Sequence, residues 1–186
     1  MYGLIYTALR EMVREHHGEK TWDAIVAKAG VPANSLLTMR SHDDETTLAL
    51  METASSVLAL PLDTCLKAFG EYWITSFAAR EYGTLLDRTG DSPLEFLQNL
   101  DDLHDRLSTS FTDFEMPSFR VEIKDATTAV VRYSSNQEGL TAFVVGILQG
   151  LGKRFGTNIT VKSIVPIATP GREQSNITIS MVKASE

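Results

Sequence analysis

Apolar residues recur at helical spacing through the first two thirds of the chain, then alternate in short runs through much of the last third. In LIYTALREMV, Ile5, Ala8, Leu9, Met12 and Val13 share one helical face, and Gly18 ends the run. Thr21 is placed to cap a second helix, TWDAIVAKAG, which Gly30 closes before Val31-Pro32 opens a loop. A third helix is predicted from about Asp43 to Leu60, stopped by Pro61, and a fourth from about Leu62 to Ala79. The clearest start is Ser92-Pro93-Leu94-Glu95, which combines a capping-box spacing with proline at the first helical position. That fifth helix is expected to continue through FLQNLDDLHDRL.

After Pro117 the period changes. Phe119 to Lys124 and Ala129 to Ser134 are strand-like runs joined by Asp125-Ala126-Thr127-Thr128, a hairpin signal. A helix from about Glu138 to Phe155 follows, then NITVKSIVPIA and NITISMVKA around TPGREQS. The C-terminal part therefore reads as strand-strand-helix-strand-strand, mostly antiparallel. The fold class is α+β, one domain over 1–186, with a helical part to about 116 and a sheet-containing part from about 117.

Composition narrows the class of partner. The formal net charge is -7, which opposes nucleic acid and anionic membrane surfaces. The longest apolar run, Leu140 to Leu151, is too short for a bilayer and is broken by Gly146, Gln149 and Gly150. Cys65 is the single cysteine, so no intrachain disulfide or cysteine-rich zinc site is possible; it is read as core. A reducing cytoplasm is the expected compartment. Neither GxSxG, nor a P-loop, nor GxGxxG occurs, and no catalytic group has an identifiable partner, so an enzyme is not expected. In GILQGLGKRFG the glycines are read as aids to close packing.

Two groups of residues carry candidate chemistry. Leu97, Leu100, His104 and Leu107 are spaced three, four and three, so His104 lies on an apolar helical stripe. A histidine there loses hydration and must hydrogen-bond or bind a metal. One reading, the commoner fate, is a core histidine satisfied by a backbone carbonyl. The other is a lone neutral imidazole on an iron whose remaining ligands are not protein, as in haem. His16-His17 suits a helix C-terminus, His42 lies in the polar stretch SHDDE, and the carboxylates of LDDLHD read as a wet helix face. The second group is Tyr133, Ser135 and Gln137. In an extended strand they project to one side and can hydrogen-bond a carboxylate or phosphate. The alternative is a strand end running into the cap of the next helix.

Taken together the chain resembles the H-NOX family, the haem-nitric oxide/oxygen binding domain related to the sensor domain of soluble guanylate cyclase, of the bacterial stand-alone type. The resemblance covers essentially the whole chain. It rests on MYGLIY, FGEYW at 69–73, NLDDLHDRL at 99–107, MPSF at 116–119, YSSNQEGL at 133–140 and GLGKRF at 150–155. It implies N-terminal helices packed against a four-stranded antiparallel sheet with helix, and haem b (iron protoporphyrin IX) in a cavity between them. His104 matches the proximal histidine, and Tyr133 and Ser135 match the first two members of the tyrosine-x-serine-x-arginine motif that holds the propionates. By the same resemblance Leu4, Ile5, Trp73, Phe77, Leu100, Leu140 and Phe143 line the haem, and Pro117 presses on it.

The third motif position departs from the family: it is Gln137, not arginine. Glutamine offers neutral hydrogen bonds where arginine offers a charged planar fork, a loss of about 1–3 kcal/mol at a buried propionate. In a regular strand Arg132 points the other way. Family members that hold oxygen carry a distal tyrosine, and the matching Phe143 has no hydroxyl. The resemblance thus implies binding of NO, and of CO, with exclusion of O2; the Trp73 indole N–H is the one donor that could oppose this. It also implies a two-state switch in which NO weakens the bond to His104, read in trans by a histidine kinase or a cyclic-di-GMP enzyme. The rivals are a haem-poor or haem-free regulatory module of the same fold, and an O2-binding haem protein.

Overall fold

The computed structural model describes residues 3–31, 44–108 and 115–183; His42 and the loop opening at Pro32 lie outside them. In chain order the helices are α1 (Gly3–His17), α2 (Glu19–Ala29), α3 (Asp44–Leu58), α4 (Leu62–Tyr72), a π-helical turn (Trp73–Phe77), α5 (Ala78–Asp87), α6 (Pro93–Gln98), α7 (Leu100–Ser108) and α8 (Thr141–Arg154). The strands are β1 (Ser118–Ile123), β2 (Thr128–Ser135), β3 (Thr157–Pro166) and β4 (Glu173–Lys183). They form one antiparallel sheet in the order β1-β2-β4-β3.

The chain forms two compact units, Met1–Phe69 and Gly70–Glu186. The division falls inside α4, not at the change of period near Pro117, because the helices after Gly70 share a core with the sheet. In the first unit α1 buries Tyr6, Ala8, Leu9 and Val13, α2 buries Trp22 and Ile25, and α3 buries Leu50, Met51 and Ala54. In the second, Val131 and Tyr133 of β2 and Ile177 and Ile179 of β4 form the inner face of the sheet. Val144, Leu148 and Leu151 of α8 and Phe96, Leu97, Leu100 and Leu103 of α6 and α7 join them in one apolar cluster. Burial at alternate positions along β2 and β4 is the strand period expressed in the fold.

Several expected boundaries move. Thr21 does not cap α2: Gly18 precedes the helix, and the Thr21 hydroxyl donates to the His17 carbonyl at 2.8 Å from within the first turn. The helix begun at Leu62 does not stop at Ala79. No proline interrupts it, so it runs through the π-helical turn and a kink at Tyr82 (φ -130°, ψ 22°) to Asp87. The helix begun at Ser92 breaks at Asn99, whose side chain donates to the Thr89 carbonyl at 2.8 Å. Its start is as expected, with the Ser92 hydroxyl accepting from the Glu95 N–H at 3.2 Å and the Glu95 carboxylate accepting from the Asp91 N–H at 3.0 Å. The last helix begins at Thr141, three residues after Glu138.

The glycines of the last helix do serve close approach. A Cβ at Gly150 would lie 2.3 Å from Ile74 Cγ2, and one at Gly70 would lie 2.0 Å from the Phe143 carbonyl oxygen. Glycine at both points lets α8 and the α4–π segment cross backbone to backbone. Cys65 is only half-buried, so it is not a core residue, although burial still pushes its thiol pKa up.

Candidate functional site

His104 sits one turn after Leu100 on α7, with buried Leu100 and Leu103 facing the core beside it. Its ring lies against Phe119 of β1, centroids 5.9 Å apart and planes 57° apart. Its Nδ1 is 2.8 Å from the carbonyl oxygen of Pro117. A carbonyl only accepts, so Nδ1 carries the proton and donates it. Burial lowers the imidazole pKa from its ordinary value; the Pro117 bond and the charges of Asp101 and Asp105 oppose it. The side chain is therefore held as a neutral imidazole whose Nε2 lone pair has no partner among the described residues. The two readings of His104 are compatible: a carbonyl satisfies one nitrogen, and the other is left able to bind a metal.

Asp101, one turn earlier, was expected on a wet face but is half-buried and fully used. Its carboxylate accepts from the Phe119 N–H at 2.7 Å and from the Ser118 hydroxyl at 2.9 Å. It thus fixes the chain just after Pro117, whose carbonyl in turn fixes His104. Sequence spacing alone carried no signal of this, because the partner lies 17 residues away on a strand edge. Asp102 and Asp105 are exposed, as expected.

The second group lies next to the first. Phe119 also packs on Tyr133, ring centroids 5.5 Å apart, so His104, Phe119 and Tyr133 form a continuous aromatic row. Tyr133 and Ser135 of β2 are both buried and share a face. Burial pushes the Tyr133 phenol up to about 12, with Glu173 raising it further and Ser135 opposing. Gln137 does not continue that row. The strand ends at Ser135, and the Gln137 N–H turns back to donate to the Ser135 hydroxyl at 3.0 Å. Arg132 is exposed on the other face and donates to Asn176 at 3.3 Å, as its parity predicts.

Of the other expected residues, Trp73 and Phe77 stack at 5.2 Å in the π-helical turn, with the Arg80 guanidinium 5.5 Å from the Phe77 ring. Leu100 is buried in the core of the second unit. Pro117, Leu140 and Phe143 are half-buried; Leu140 precedes α8 and Phe143 lies in its first turn. Leu4 and Ile5 are half-buried on α1 of the first unit.

This donor set fits haem. A neutral imidazole fixed through Nδ1 and bare at Nε2 is the form that ligates iron, and two buried hydroxyls with apolar surroundings suit propionates and a porphyrin. Comparison with solved structures places the fold among H-NOX proteins. The Fe(II) unliganded H-NOX protein from K. algicida superposes with a TM-score of 0.83 at 21% identity, over 100% of this chain and 99% of that one. The H-NOX protein from S. oneidensis in the Fe(II)NO ligation state gives 0.80 at 20% identity, over 97% and 99%. A family model described as Haem-NO-binding matches residues 2–163, and the chain belongs to that family of haem-binding gas sensors. Among named relatives, soluble guanylate cyclase gcy-35 of Caenorhabditis elegans is 27% identical over 167 residues, 87% of this chain and 24% of its own length. Soluble guanylate cyclase 89Da of Drosophila melanogaster is 24% identical over 155 residues, 83% of this chain and 23% of its own length. The chain thus spans about a quarter of the length of these relatives.

Proposed function

We propose that this chain is a cytoplasmic sensor that takes up NO, and also CO but not O2, at haem b ligated by His104. The observation that carries the reading is the Nδ1–H of His104 donating to the Pro117 carbonyl at 2.8 Å, which leaves Nε2 bare. Bound haem would supply a ferrous iron with a coordination position open to a diatomic gas. Tyr133 and Ser135 would hold the propionates, with Trp73, Phe77, Leu100, Leu140 and Phe143 lining the porphyrin. Phe143 presents no hydroxyl, so it gives a polar oxygen ligand nothing to bond.

His104 is tied to β1 through Pro117, and Asp101 ties the same helix to Ser118 and Phe119. A change in the pull on Nε2 therefore reaches α7 and the edge of the sheet together. A ligand shifts such an equilibrium only by its different affinity for two states, and the pull on His104 is the part of the site that differs. We assign the receiver to a separate effector, a histidine kinase or a cyclic-di-GMP enzyme.

The test is the absorption spectrum of the reconstituted ferrous protein, then of the same sample with NO, CO and air. A five-coordinate ferrous spectrum that shifts with NO and CO and is unchanged by air is expected. His104→Ala should lose that spectrum and regain it with added imidazole. An unchanged ferrous spectrum in this variant would show that His104 is not the ligand.

A further inference from the structure

Across β2 and β4, Tyr133 pairs with Ser175 and Ser135 pairs with Glu173. Paired residues in an antiparallel ladder project to the same face. The two hydroxyls assigned to the propionates therefore share their patch with a carboxylate. That carboxylate is firmly seated. It accepts from the Leu140 N–H at 2.9 Å, the Thr141 N–H at 3.3 Å and the Thr141 hydroxyl at 2.6 Å, all at the start of the 14-residue α8. The Thr141 hydroxyl is also 3.5 Å from that of Ser175. Glu173 thus uses donors at a helix N-terminus that would otherwise attract an incoming anion.

The nearby cations do not offset it. Arg132 is bonded to Asn176 on the outer face, and Arg172 is ion-paired with Glu115 at 2.5 Å. Glu115 is itself bonded by Asn136. Gln137, beyond the strand end, is neutral. Like charges brought together away from bulk water repel more strongly than they do in it.

On the haem reading above, we propose that Glu173 sets the affinity of the propionate cradle. Its carboxylate, unopposed by a motif arginine, weakens the grip of Tyr133 and Ser135 on charged propionates, so that His104 and apolar contact carry most of the hold on haem. The cradle then tolerates a porphyrin with uncharged carboxyl substituents as well as it tolerates haem itself.

The experiment measures porphyrin loss from the full chain to excess haem-scavenging globin, followed at the Soret band, for haem and for haem dimethyl ester. Wild type should lose the ester no faster than haem. Glu173→Gln, which keeps one of the two acceptor oxygens and removes the charge, should slow haem loss about three- to tenfold and leave ester loss unchanged. Gln137→Arg should slow haem loss by at least as much. Circular dichroism reports whether each variant is folded. A folded Glu173→Gln that loses haem at the wild-type rate or faster overturns the proposal. If that variant does not fold, the wild-type comparison decides, and ester lost about tenfold faster than haem overturns it. Wild type that takes up neither porphyrin refutes the haem reading itself, and the proposal falls with it.

Discussion

The Nδ1–H of His104 donates to the carbonyl oxygen of Pro117 across 2.8 Å, joining α7 to the residue immediately before β1. Asp101 makes a second join between the same two segments, one helical turn away. Together they hold one imidazole at two levels, its tautomer through Pro117 and its position through the strand that Asp101 anchors.

Asp101→Asn keeps one acceptor oxygen but loses the charge that strengthens the bonds to Ser118 and Phe119. A cost of about 1.5–3 kcal/mol is expected, the range for hydrogen bonds to a charged group. Urea unfolding of the apo protein measures it. In the ferrous haem form the iron–histidine stretch, read by resonance Raman, should shift, which a purely structural loss elsewhere would not produce.

Tyr133 gives a pH dependence of definite sign. Its folded pKa, about 12, lies above the ordinary value of 10.0. The unfolded chain therefore releases this proton first, so its contribution is fully present below pH 10 and is lost as pH rises toward 12. The shift is worth on the order of 2 kcal/mol. Tyr133→Phe should flatten the alkaline fall in stability over that window and remove one late-titrating phenol at 295 nm.

Two glycine substitutions should move in opposite directions. Gly70→Ala places a methyl group 2.0 Å from the Phe143 carbonyl oxygen, where backbone must shift. It should destabilise by about 1–3 kcal/mol. Gly83→Ala on α5 meets nothing within 4 Å and should stabilise by about 0.5–1 kcal/mol by restricting the unfolded chain. Thermal unfolding of both variants in the apo form decides the matter.

Phe143→Tyr adds the hydroxyl that the gas assignment depends on lacking. A ferrous protein that forms a detectable oxygen complex in air, where wild type shows no change, is expected. Absence of any change in air would show that position 143 does not face the gas.

The sequence by itself determined the class of fold and singled out the candidate chemistry-bearing side chains. Period-2 runs after Pro117 placed all four strands, because alternate burial on a half-covered sheet leaves a local mark in the chain. The cap at Ser92 was legible for the same reason, since its partners lie within four residues. His104 stood out by helical spacing, and the ordered motifs around it supplied the family. What spacing could not reach were contacts made across the fold. Asn99, where the His104 helix breaks, bonds Thr89 ten residues away, and the division of the chain at Phe69 and Gly70 follows from which helices share the sheet's core. Asp101 looked like a solvated carboxylate until a strand edge was brought to it, and Glu173 carried no mark of its place at α8. The tertiary structure also decided which nitrogen of His104 is bare. Tautomer and hydrogen-bond partner depend on where the Pro117 carbonyl comes to rest, and that is set by the docking of α7 on β1 rather than by any pattern along either segment.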